Sequence, residues 1–99
     1  MIRHMVGWSI KEEYQGNERD AVKQEIRSIL EGLVNVIPEL VELKVVTSLL
    51  EGSTSEIMLD TLFKSTEDLE KYQKHPEHVK VGQYIRTVVS KRECFDYEI

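Results

Sequence analysis

Cysteine is nearly absent from this 99-residue chain: Cys94 stands alone, so no internal disulfide framework is possible and a reducing compartment suits it. Long apolar runs are missing too. No stretch approaches the roughly 18 residues that a membrane-spanning helix requires, and Lys11, Glu12 and Glu13 arrive too early for a signal peptide's apolar core. Basic residues are in deficit, 13 Lys+Arg against 18 Asp+Glu, a formal charge of −5. Phosphate backbones are held by clustered cations, so nucleic acid is not an expected partner, and neither is a membrane. With only two prolines and five glycines there is no linker, repeat or low-complexity segment. A Gly-rich phosphate loop, a nucleophile elbow and paired-cysteine metal motifs are all lacking. What remains is a cytoplasmic globular domain over residues 1–99, with no cofactor and no metal expected.

The patterning that is present is strong. Ile2, His4, Val6 and Trp8 alternate with Arg3, Met5, Gly7 and Ser9, a period of two that predicts a strand with a histidine set in its apolar face. Asn17 is positioned to cap a helix, with Asp20 at the capping-box position. Val22, Ile26, Ile29, Leu30, Leu33, Val34 and Ile37 then recur at helical spacing until Pro38. Period two returns from Glu39. Leu43, Val45, Thr47 and Leu49 oppose Lys44, Val46, Ser48 and Leu50, and after a Gly52 turn Ile57, Leu59, Thr61 and Phe63 oppose Met58, Asp60 and Leu62. The two strands predict an antiparallel hairpin. Ser65 and Asp68 bracket a second capping box for a helix that buries Leu69 and Tyr72. Pro76 opens a further helix with His78, Val81, Ile85 and Val88 on one stripe. From Lys91 to Ile99, Phe95 and Tyr97 alternate with Cys94 and Asp96 in a last strand.

Strand, helix, strand, strand, helix, strand is the order of an α+β, ferredoxin-like βαββαβ sandwich, a four-stranded antiparallel sheet with its helices on one face. The other face would carry Met5, Val46, Leu50, Met58 and Leu62, more aliphatic surface than a solvated face usually holds. At about 25 cal/mol per Å² of apolar area, covering it is worth several kcal/mol, which predicts a homodimer joined through that face.

Four titratable residues stand out: His4, Tyr72, His75 and His78. If the first strand turns its apolar face to the helices, His4, Tyr72 and His78 enter the layer between sheet and helices. There a neutral imidazole and a phenol make a base and donor pair near neutral pH. Each also has a plainer reading, as a hydrogen-bonded core histidine or a rim aromatic. His75 precedes proline, so it leaves the helical region and most simply ends one helix facing solvent. That spoils a His75-x-x-His78 metal pair with His4 as third ligand. Cys94 reads as a small core residue, and Lys11, Lys44, Lys64 and Arg92 as solvated or rim charges.

The pieces Ile2-Arg3-His4-Met5-Val6, Ile37-Pro38, Phe63 with Ser65 to Tyr72, His75-Pro76-Glu77-His78-Val79 and Phe95-Asp96-Tyr97 together make the chain resemble the stress-responsive dimeric α/β-barrel (Dabb) family over nearly its whole length. The resemblance implies a protomer whose sheet closes a barrel with a second copy. It also implies a small molecule bound in a pocket between sheet and helices, lined by His4; Trp8, Val81 and Ile85 are expected to line it too, although Gly7-Trp8-Ser9 departs from the residues the family usually carries there. The alternative it implies is a cofactor-free, polyketide cyclase-like enzyme. In that enzyme His78 would remove a proton alpha to a carbonyl, Tyr72 would orient it or donate to the enolate oxygen, and His4 would support from the strand. Asp96 is expected to orient one of the imidazoles.

Overall fold

The computed structural model describes residues 1–99. In chain order the elements are β1 (Ile2–Ile10), α1 (Gly16–Glu31), β2 (Glu42–Val46), β3 (Ile57–Phe63), α2 (Thr66–Lys74), α3 (Pro76–Val88) and β4 (Val89–Glu98). The strands form one antiparallel sheet in the order β2-β3-β1-β4. All three helices cover the same face, as the ferredoxin-like reading expects.

The alternation in β1 translates directly into burial. Ile2, His4, Val6, Trp8 and Ile10 are buried and the residues between them are half-buried. Antiparallel partners share a face, so Thr61, Leu59 and Ile57 of β3 join them under the helices. Against this surface pack Val22, Ile26 and Leu30 of α1, Leu69 and Tyr72 of α2, and Ile85 and Val88 of α3. Ser65 caps α2 by accepting from the Asp68 N–H at 3.1 Å.

Four local expectations are corrected. Helix α1 begins one residue before Asn17: Gln15 flanks it in extended conformation, no side chain caps it, and Gly16 takes φ +54°, which glycine adopts without a Cβ penalty. Arg19 organises this entrance instead, donating to the carbonyls of Lys11, Tyr14 and Ile10 at 3.2, 2.7 and 3.0 Å and to the Glu56 carboxylate. The helix also ends early, at Glu31. Gly32 lacks the helix-holding propensity of its neighbours, and a 3₁₀ turn over Gly32–Asn35 keeps Leu33 and Ile37 buried while turning Val34 out, 49% exposed.

The third correction is the hairpin. Strand β2 stops at Val46, opposite Met58 and one residue short of the start of β3, and residues 47–56 form a long connection rather than a tight turn. Leu50 therefore leaves the sheet and stands 85% exposed. The fourth is Cys94, which is exposed rather than core. It faces the helix side, paired with Val6, but β4 is an edge strand of the sheet.

Candidate functional site

His4 sits mid-strand in β1 with 2% of its surface exposed, and its backbone carbonyl accepts from the Thr61 hydroxyl at 2.7 Å. Beside it in the sheet, β4 brings Asp96 opposite His4. The carboxylate accepts a short hydrogen bond from the His4 ring at Nδ1. A carboxylate only accepts, so the His4 proton resides on Nδ1 and Nε2 is left as the ring's acceptor when the imidazole is neutral.

Tyr72 is fully buried on the inner side of α2. Its ring lies between the two imidazoles, 6.3 Å from His4 and 4.4 Å from His78 centroid to centroid, and packs on Phe63 at 5.0 Å. The Tyr72 hydroxyl has no hydrogen-bond partner within the protein. Burial pushes its pKa far above the ordinary phenol value, so it is a proton donor and not a phenolate at any working pH.

His78 occupies the first turn of α3, half-buried. Its Nδ1 lies 3.2 Å from the Gln73 carbonyl oxygen, which can only accept, so Nδ1 carries the proton here too. Burial, helped by the positive fields of His4, Arg92 and Arg86 and opposed by that carbonyl, holds the His78 pKa below the ordinary imidazole value. Near neutral pH the ring is therefore uncharged, with Nε2 available as a base.

Between sheet and helices lies a cavity of about 420 Å³, within the range of small-molecule sites. His4, Trp8, His78, Val81 and Ile85 line it; Tyr72 does not. Residues that the pattern of the sequence did not single out also line the cavity, including Arg86, Lys91 and the backbone-close Gly82. Helical spacing puts Gly82 one turn and Arg86 two turns along from His78, a signal available in the sequence.

His75 takes no part in the cavity. With ψ 134° it ends α2, and its Nδ1 accepts from the Glu77 N–H at 3.1 Å to cap α3. The Nδ1 atoms of His75 and His78 are thus both engaged, with the Glu77 N–H and the Gln73 carbonyl, which leaves only their Nε2 atoms for a metal pair. The only other donor set is His4, Cys94 and Asp96, whose ligand atoms lie within 4.8 Å of one another. Its imidazole and carboxylate already satisfy each other through the Nδ1 proton, so the set fits an orienting pair better than a cation site.

The chain and its fold are similar to known proteins. The chain is 28% identical over 99 residues to olivetolic acid cyclase of Cannabis sativa, covering 97% of this chain and 94% of that one. A dimeric, ferredoxin-like protein of unknown function from Bacteroides fragilis superposes with a TM-score of 0.90 at 26% identity, over 99% of this chain and 95% of that one. Hydroxynitrile lyase from Passiflora edulis shares the fold at a TM-score of 0.81 and 20% identity, over 99% and 92% of the two chains. Relatives of this architecture thus differ in activity, and a neighbour described as dimeric supports the homodimer. A family model described as the stress responsive A/B barrel domain matches residues 2–99, and the chain belongs to that family, Dabb.

Proposed function

We propose that each protomer binds a small carbonyl-bearing molecule in the cavity between sheet and helices. The observation that carries this reading is the 420 Å³ space bordered by two histidines, each with Nδ1 held by an acceptor and Nε2 free. Val81 and Ile85 supply apolar wall, and Trp8 a flat surface for a planar or conjugated ligand.

A second reading, turnover, is favoured by the state of His78. A neutral imidazole with a free Nε2 is a general base for a proton alpha to a carbonyl, a step worth about 10²- to 10⁴-fold. Tyr72, which does not line the cavity, would hold the His78 ring in place rather than touch the ligand. The Asp96–His4 pair would fix the second imidazole. No cofactor is needed for that step. The relatives named as a cyclase and a hydroxynitrile lyase show that the fold supports more than one activity on small molecules.

The dimer forms, in this proposal, through the outer sheet face. Met5, Met58 and Leu62 lie there in register, and β4 adds Phe95 and Tyr97, 62% and 49% exposed in the single chain. Sequence pattern alone left these two aromatics unassigned; pairing with Met5 and Arg3 puts them on that face.

The test is deuterium exchange at the alpha carbon of a simple β-diketone in D₂O, followed by NMR, with chemical-shift changes at His78 reporting binding. Wild type should perturb the His78 resonances and accelerate exchange. His78→Ala should remove at least about a hundredfold of that acceleration with the fold retained. Shift changes without acceleration would leave a binding protein; no change in either would defeat both readings.

A further inference from the structure

The chain carries more acids than bases, yet every formally charged side chain lining the cavity is a cation: Arg86, Lys91 and Arg92. The three are exposed, whereas Val6, Leu30 and Leu59 on the same lining are buried, so the cavity runs from an apolar floor to a cationic mouth. Arg86 and Arg92 come from different elements, α3 and β4, and Arg92 is the sheet partner of Trp8. Lys91 pairs with Glu93 at 3.4 Å, but the ion pairs of the chain include neither arginine. Two guanidiniums without carboxylate partners, bordering one apolar space, form a receptor for an anion attached to an apolar body. A guanidinium offers paired N–H donors that match a carboxylate.

We infer that the ligand of this cavity is an amphipathic monocarboxylate, its apolar body on the Val6, Leu30 and Leu59 floor and its carboxylate at Arg86 and Arg92. The inference rests on the reading of the cavity as a small-molecule site and adds the chemical class of the occupant. A negative group at the mouth also meets no opposing charge inside, because no Asp or Glu lines the cavity. A cationic amphiphile of the same size would face two arginines and a lysine without compensation.

Trp8 is the sole tryptophan and lines the cavity, so its fluorescence reports occupancy without labelling. Three probes with the same ten-carbon chain separate the contributions at pH 7.5: decanoate, decanol and decylamine. Decanoate should saturate the signal with an affinity at least about tenfold above decanol, the yield of one charge-assisted hydrogen bond. Decylamine should bind more weakly than decanol. In the Arg86→Gln, Arg92→Gln double variant decanoate should fall to the level of decanol while decanol binding is retained, which also shows that the cavity is intact. Equal binding of decanoate and decanol to wild type, or a decanoate preference that survives the double variant, would overturn the carboxylate assignment alone. A Trp8 signal that answers to none of the three probes would overturn it together with the small-molecule reading.

Discussion

Replacing Tyr72 by Phe removes one atom, the buried hydroxyl that no protein group satisfies, and leaves the ring on Phe63 and His78. A polar group buried without a partner costs about 1–3 kcal/mol, so the substitution should stabilise the fold by about 1 kcal/mol or somewhat more. For a domain of this length that corresponds to a rise in Tm of roughly 4–8 °C per kcal/mol. In urea it should appear as a higher midpoint at unchanged m, since the surface exposed on unfolding is the same. Both proteins must be compared at one protomer concentration, because dimerisation adds to apparent stability. The ring that supports His78 is retained and the lost hydroxyl does not line the cavity, so the same variant should exchange the β-diketone proton at about the wild-type rate. If Tyr72→Phe instead loses 1 kcal/mol or more, the hydroxyl has a stabilising partner and the reasoning from its isolation is refuted.

Other consequences are equally direct. Arg19 holds three loop carbonyls and Glu56 while only 21% of its side chain is exposed, so Arg19→Ala should cost about 2–4 kcal/mol by urea unfolding; a loss below about 0.5 kcal/mol would show that the α1 entrance holds without it. Because burial holds the His78 pKa below its unfolded value of about 6.5, the unfolded chain takes up this proton first as pH falls. His78 should therefore weaken the fold progressively below about pH 6.5 and contribute nothing above it; the Tm difference between wild type and His78→Gln, scanned from pH 7.5 to 5.5, should change in that sense, and a flat difference would contradict it. Phe95→Glu on the outer sheet face should shift sedimentation from dimer to monomer at micromolar concentration, while an unchanged dimer would move the interface elsewhere.

Much of the architecture was readable because burial in this chain follows backbone period closely. In β1 the alternation is unbroken, and the apolar spacing of α2 and α3 places Tyr72 and His78 on their inner faces. Reading failed where local preference met a competing tertiary demand. Asn17 has the right chemistry for a cap, but Arg19 tethers the preceding loop and moves the helix start to Gly16. Val34 keeps helical spacing, but Gly32 has already broken the helix. Leu49 and Leu50 keep strand alternation, but β3 is too short to pair with them.

Local pattern by itself determined the order and type of the strands and helices, and that His4, Tyr72 and His78 point inward, because a period of 2 or 3.6 leaves an apolar face only one stable direction. It could not determine that Asp96 stands opposite His4, or that Arg86 and Arg92 border one cavity from two elements. Those depend on strand order and register, which are set by how the whole sheet pairs and packs under the helices, and no spacing along a single segment contains that information.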